Sequence, residues 1–205
     1  HDDEITPYTY KGFLVLAADG SDINVPTTSE TLEKYGNASK RGGKPRAQIG
    51  LGCLYDVLNR FILDSAINKV KFDEMSVALS QLDRVRDTIG EKYPFMVIMD
   101  RGYPSIPAFL HMIDSSVFFV VRLKSSDFKA EQKTLGSNDE DVLIELTKPR
   151  RNNYIGTEKE AIMMSRDSFP LRMVTVTLED EKSEILATNL PRDLFPQECF
   201  REFIT

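Results

Sequence analysis

The sequence is poor in the residues on which much enzyme chemistry depends. Among its 205 residues are two histidines, His1 and His111, two cysteines and no tryptophan. Zinc sites built from several His or Cys side chains are thereby excluded. A Ser-His-acid triad would rest on His111 alone, inside an apolar helical segment where a packed or surface histidine is the ordinary reading. Cys53 and Cys199 lie far apart in the apolar contexts GLGCLY and QECF. They read as buried free thiols rather than a disulfide, which favours an intracellular setting. No apolar run approaches the roughly 20 residues that span a bilayer, and the opening HDDEITPYTY is polar and acidic, unlike a secretory signal. No G-x-G-x-x-G opens a helix after a strand. Gly43-Lys44 resembles a phosphate loop, but Gly36 is misplaced and Pro45 stands where Ser or Thr belongs. An initiator Met is lacking, and the chain stops at Phe203-Ile204-Thr205 inside an expected helix, so both ends read as those of a fragment. What remains is carboxylate chemistry.

Hydrophobic residues make up 41% and charged residues 28%, as in an ordinary globular chain, and the length suits one large domain or a domain with a sizeable insertion. The net charge of −6 argues against a polyanionic partner only if the charges are evenly spread. They are not. From Lys34 to Arg46 there are five cations (Lys34, Lys40, Arg41, Lys44, Arg46) and no acid, while acids collect in 127–145 and 179–184. A polyanion can be held locally by such a chain.

Residues 13–18, FLVLAA, form an apolar run ending at the turn pair Asp19-Gly20, with Ile23 and Val25 alternating up to Pro26. A Thr/Ser-rich irregular segment and a Gly/Lys-rich loop over 36–46 follow. Strands are expected over 47–57 and 60–68. Asp73 caps a predicted helix whose apolar residues recur at Met75, Leu79, Leu82, Val85 and Ile89, ended by Gly90. FMVIM at 95–99 suits a strand buried on both faces, and it terminates at Asp100-Arg101-Gly102-Tyr103. A short helix over 104–114 opened by Pro104 and a buried strand over 118–123 come next. Beyond 126, strand-like pieces recur at 141–147, 160–164, 171–178 and 184–188, and a helix begins near Pro196. The early strands favour an antiparallel meander and the later ones parallel neighbours joined by helices. The expected organisation is a mixed α/β core over 1–125, an all-β insertion over 126–190, and the start of a further helix over 191–205.

Asp19 and Asp100 share one context: each follows an apolar strand and precedes a turn signal. A carboxylate on a strand end is aimed with little loss of entropy. Two of them at one sheet edge would form an oxygen-lined anionic pocket suited to Mg²⁺ or Mn²⁺. Two such ions roughly 4 Å apart activate one oxygen and stabilise another in phosphodiester cleavage. Each aspartate alone has a plainer reading. Asp-Gly after a strand is commonly a hairpin turn, and Asp22 is a rival at the same turn. Asp100 would also suit a flavodoxin-like phosphorylation or cofactor site.

Phe13–Pro26 (FLVLAADGSDINVP), KRGGKPR at 40–46, LYDVLNRF, and above all MDRGYPS at 99–105 resemble the DDE transposases of bacterial insertion sequences, in the branch whose ribonuclease-H-like core carries a β-rich insertion. FFVVRLK (118–124) and ILATNLP (185–191) extend the resemblance over essentially the whole chain. It implies a ribonuclease-H-like mixed sheet in which antiparallel first strands lead into parallel strands with helices. It also implies Asp19 and Asp100 as the first and second catalytic acids, holding two Mg²⁺ or Mn²⁺ ions. The implied activity is DNA cleavage and strand transfer at transposon ends. DNA, both ends and target, would be the partner, with a homodimer in the synaptic complex, in a bacterial cytoplasm at the nucleoid, without a membrane. The family's third acid, a Glu in a Tyr-x2-Arg-x3-Glu-x6-Lys motif, is not matched here. Phe200-Arg201-Glu202 lacks the spacing, so Glu198 and Glu202 read as surface residues and the chain reads as truncated before that acid.

Around the aspartates, Arg101 reads either as a phosphate contact or as a structural ion pair. Arg122 and Lys124 end a buried strand, where related enzymes place basic residues on the DNA backbone. Lys40, Arg41, Lys44 and Arg46 are the best phosphate-contact group, because a Gly-rich loop can follow a groove while its cations displace counterions; solubilising charge is the alternative. Lys148, Arg150 and Arg151 form a weaker cluster, and Tyr103 either stacks on a base or packs under its turn. Two rival functions stay open: a catalytically incomplete remnant that binds DNA or complete subunits, and a phosphate-handling α/β receiver, which would need a parallel sheet.

Overall fold

A computed structural model describes residues 6–39, 42–179 and 182–204. The chain forms two compact units that divide between Pro94 and Phe95.

In the first unit, β1 (Leu14–Asn24), β2 (Gln48–Asp56) and β3 (Phe61–Lys69) form an antiparallel meander. This excludes the receiver reading, which requires a parallel sheet. The helix expected after Asp73 is α2 (Glu74–Ile89), and the Asp73 side chain accepts from the Ser76 amide at 3.3 Å. It seats on β1 and β2 because the strands offer glycines there. A β-carbon at Gly52 would stand 2.8 Å from Val77 Cγ1, and one at Gly50 would stand 2.2 Å from the Phe72 ring. The amide of buried Gln81 donates to the Gly52 carbonyl at 3.2 Å, which satisfies a polar group inside this contact.

Two local readings change. The Thr/Ser-rich segment contains a helix, α1 (Ser29–Tyr35), opened by a capping box in which Thr31 stands where Glu or Gln is usual. Thr28 Oγ1 accepts from the Thr31 amide at 3.1 Å and Thr31 Oγ1 accepts from the Thr28 amide at 2.9 Å. Nor does Asp19-Gly20 turn the chain. Strand β1 runs on to Asn24, with Asp19 opposite Cys53 and Gly20 opposite Gly52.

The second unit holds β4 (Phe95–Met99), α3 (Ile106–Asp114), β5 (Phe118–Leu123), α4 (Lys129–Lys133) and β6 (Asp139–Glu145). It continues through α5 (Lys148–Asn152), α6 (Glu160–Met164), β7 (Ser168–Thr177), β8 (Ser183–Thr188) and a 3-10 helix (Gln197–Phe203). Its strands lie in the order β4-β5-β8-β7-β6. β4 and β5 are parallel, joined through α3, and the other pairs are antiparallel. The architecture is therefore a mixed α/β fold. Helix α3 starts at Ile106 rather than at Pro104, because the Ser105 hydroxyl caps it by accepting from the Ala108 amide at 3.3 Å. Its Phe109 stacks on Phe119 of β5 at 5.2 Å.

Residues 160–164, expected as a strand, form α6; four of the five residues of EAIMM (Glu, Ala and two Met) are good helix formers, and only Met163 is buried. The helix expected after Pro196 is a 3-10 turn. Its segment is held by Arg172 of β7, whose side chain is 4% exposed. That guanidinium donates to both Asp139 oxygens at 2.8 and 2.7 Å and to the carbonyls of Leu190 and Phe195 at 3.0 and 2.9 Å. It also lies 5.0 Å from the centre of the Phe200 ring. Both cysteines are free and half-buried.

Candidate active site

Asp100 follows the last residue of β4. The buried strand fixes its backbone, and the Tyr103 amide closes the turn on the Asp100 carbonyl at 3.1 Å. Tyr103 is buried under that turn. The Asp100 side chain is 70% exposed, and Arg122 Nη1 stands 3.4 Å from its Oδ1. The register explains this approach. Met99 lies beside Val121 in the parallel pair, so the next position brings Asp100 beside Arg122 on one face.

A buried acid joins them. Arg122 faces Leu186 across the antiparallel pair, so Glu184, two residues earlier in β8, shares that face. The Glu184 carboxylate is 8% exposed; it accepts from Arg101 Nη2 and stands 3.4 Å from Arg122 Nη2. The Arg101 guanidinium is held above its ordinary pKa, first by the hydrogen bond to Glu184, next by that carboxylate's charge, and finally by Asp100, with burial opposing. The Nε atoms of Arg101 and Arg122 are buried without a hydrogen-bond partner. Glu184 was not among the residues singled out in the sequence, where it ends the acid-rich stretch 179–184. The available signal was that two arginines following apolar strands need a counter-charge, and that SEILAT is too apolar for a solvated strand.

Beside this cluster lies a polar cavity of about 520 Å³ lined by Arg101, Lys124, Gln132, Lys182 and Glu184, among others. Lys124 is exposed. Its backbone is pinned, its amide donating to Asp127 Oδ2 at 2.8 Å and its carbonyl accepting from Gln132 Nε2 at 2.9 Å. Its ammonium has no partner among the described residues.

Asp19 belongs to the first unit. It stands where the buried half of β1 gives way to the exposed half, its own side chain exposed and without a hydrogen bond among the described residues. Burial, and then the charge of Asp19, push the facing Cys53 thiol up. Asp22 pairs with Gly50, so alternation along β1 turns it to the α2 side, opposite to Asp19. Asp56, fully buried, is a turn-forming acid: its Oδ1 accepts from the Leu58 and Asn59 amides at 3.1 and 3.0 Å.

In the 36–46 loop, Lys44 and Arg46 are exposed and unpaired among the described residues, and Asn37 Oδ1 pins the Arg46 amide at 3.1 Å. Lys40 and Arg41 lie outside the described residues. Arg150 and Arg151 are engaged internally, with Glu131 and Asp167, both at 2.8 Å. Glu198 and Glu202 are exposed on the 3-10 turn. Among the described residues no group of three or more His, Cys, Asp or Glu side chains is placed to hold a metal ion. No helix among the described residues is long and apolar enough to cross a membrane.

No curated protein matches the sequence. Among solved structures, the fold is similar to that of piggyBac transposase in a cryo-EM synaptic complex with hairpin DNA, with a TM-score of 0.46 and 11% identity. The similarity covers 90% of this chain and 34% of that one, so this chain spans about a third of that protein's length. The family of the transposase DDE domain matches residues 10–204, nearly the whole sequence. By that match the chain belongs to the transposase DDE domain family.

Proposed function

We propose that this chain is a catalytic domain that cuts DNA at transposon ends and joins the freed 3′ hydroxyl to target DNA. The observation that carries the reading is Asp100: an exposed carboxylate on the end of a buried strand, opening the Asp-Arg-Gly-Tyr turn, with a basic residue of the next strand at its side. Asp19 and Asp100 are its two metal-binding acids. Both are exposed, and neither is consumed by a strong hydrogen bond of the protein's own. Hard carboxylate oxygens are the donors that Mg²⁺ and Mn²⁺ prefer, with water and phosphate completing the shell, so the residues fit the group. Two bound ions would supply activation of the attacking oxygen and stabilisation of the leaving one.

The chain's own residues do the rest. Lys44, Arg46 and Lys124, with Lys40 and Arg41, hold the DNA backbone and exchange counterions for phosphates. Arg101 and Arg122 present guanidiniums beside Asp100 that can orient a phosphodiester in two-point geometry. The setting we infer is a bacterial insertion sequence acting at the nucleoid, as a homodimer in the synaptic complex. A second reading is a DNA- or subunit-binding module without catalysis.

The test is incubation of the cleavage-competent protein with a labelled duplex carrying the element's end. Strand cuts are expected with Mg²⁺ or Mn²⁺, disappearing with EDTA. Cleavage indifferent to EDTA contradicts the metal reading, and DNA binding without any cut favours the second reading.

A further inference from the structure

The arrangement around Arg122 contains a carboxylate that the cleavage chemistry does not require. Arg122 stands 3.4 Å from Asp100 and 3.4 Å from Glu184, through its two terminal nitrogens. Both separations exceed the about 2.7–2.9 Å of a full charge-assisted hydrogen bond. The guanidinium is thus divided between two carboxylates and closed on neither. Among the described residues these are its only ion-pair partners, and its Nε is buried without one. Glu184 is the fixed member of the trio: it is nearly buried, anchored in β8, and bound to Arg101 as well.

We propose that Glu184 is a positioning residue that holds Arg122 back from Asp100 and so keeps the Asp100 carboxylate open to a divalent cation. The inference rests on reading Asp100 as a metal-binding acid. Without the Glu184 charge, Arg122 has one carboxylate left, and a guanidinium closed on Asp100 competes directly with a cation for the same oxygens. Glu184 also offsets part of the positive charge of Arg101 and Arg122, which would otherwise repel an incoming cation. The four groups sum to zero charge with Glu184 present and to +1 without it. Held between Glu184 and Asp100, Arg122 remains available to a phosphate once a cation occupies Asp100.

The probe is Mn²⁺ alone, titrated into this chain and followed by electron paramagnetic resonance, with thermal unfolding as the control for folding. Glu184→Gln keeps the side-chain volume and is expected to weaken Mn²⁺ binding roughly tenfold or more, the usual range for losing a group that supports a metal ligand. Arg122→Gln is expected to bind Mn²⁺ at least as well as the unaltered chain. The double variant Glu184→Gln/Arg122→Gln should return to within about threefold of the unaltered chain, since the two sites are coupled through one contact. A Glu184→Gln loss that persists in the Arg122→Gln background marks a merely structural role and overturns the proposal, as does Asp100-dependent binding that Glu184→Gln leaves unchanged. If Asp100→Asn has no effect on Mn²⁺ binding, the reading of Asp100 itself fails, and the inference with it.

Discussion

Asp100→Asn is expected to reduce strand cleavage by the cleavage-competent protein on the order of 10³-fold or more, while DNA affinity changes little. Loss of a metal-binding carboxylate forfeits several kcal/mol of transition-state stabilisation, and each 1.36 kcal/mol is about tenfold in rate. Asparagine keeps the shape and removes the charge. Fold effects are small because the side chain is 70% exposed and its ion-pair contact is Arg122 at 3.4 Å. Asp19→Asn is expected to behave the same way, for it too is exposed and makes no side-chain hydrogen bond among the described residues. Nicking of a labelled duplex, with binding measured in parallel, checks both. Undiminished cleavage by either variant ends the assignment of that residue.

The largest expected effect on stability lies elsewhere, at Arg172. Removing it leaves the Leu190 and Phe195 carbonyls without that donor, and leaves Asp139, whose side chain is 17% exposed, with Arg192 at 3.1 Å as its remaining arginine. Breaking a buried ion pair from one side costs about 3–5 kcal/mol, so Arg172→Ala should sharply lower the urea midpoint for unfolding of residues 95–205. A loss under about 1 kcal/mol, the scale of an exposed pair, contradicts this account. The pH dependence follows from the same contact. The hydrogen bond from Arg172 holds the Asp139 carboxyl below its ordinary range; burial opposes it, while Arg192 and the charges of both arginines add to it. A depressed folded-state pKa contributes stability above the unfolded value, and the contribution is lost as pH falls through the folded one. Stability should therefore decline below about pH 4, and less steeply in Arg172→Ala.

Where local chemistry decides, the sequence is readable. The capped, periodic 73–89 segment is helix α2, and the all-apolar FMVIM is β4, because period and capping are properties of neighbouring residues. Asp100 and Arg122 were each legible as a strand-end group, but only the β4–β5 register places them together. Three features depended on partners distant in sequence or on an unusual cap. Helix α1 was hidden because Thr31 does the work of a glutamate in its capping box. Asp19-Gly20 has the composition of a turn, but β2 pairs with β1 from Leu16 to Asn24, so the strand continues through it. Glu184 is one acid of the 179–184 stretch until β8 pairs with β5 and brings it beside two arginines. Charge in a sequence is thus a poor guide to exposure where strands from separate stretches share a face.

The central claim is that Asp19 and Asp100, far apart in sequence, are both ligands to divalent cations. Iron-directed backbone cleavage tests it most directly, because Fe²⁺ bound in place of Mg²⁺ generates radicals from peroxide and cuts the polypeptide beside its ligands. The account predicts two sets of fragments, one from cuts near Asp19 and one from cuts near Asp100, both suppressed by excess Mg²⁺ and by either Asp→Asn substitution. Cuts near only one aspartate, or at sites remote from both, would contradict it.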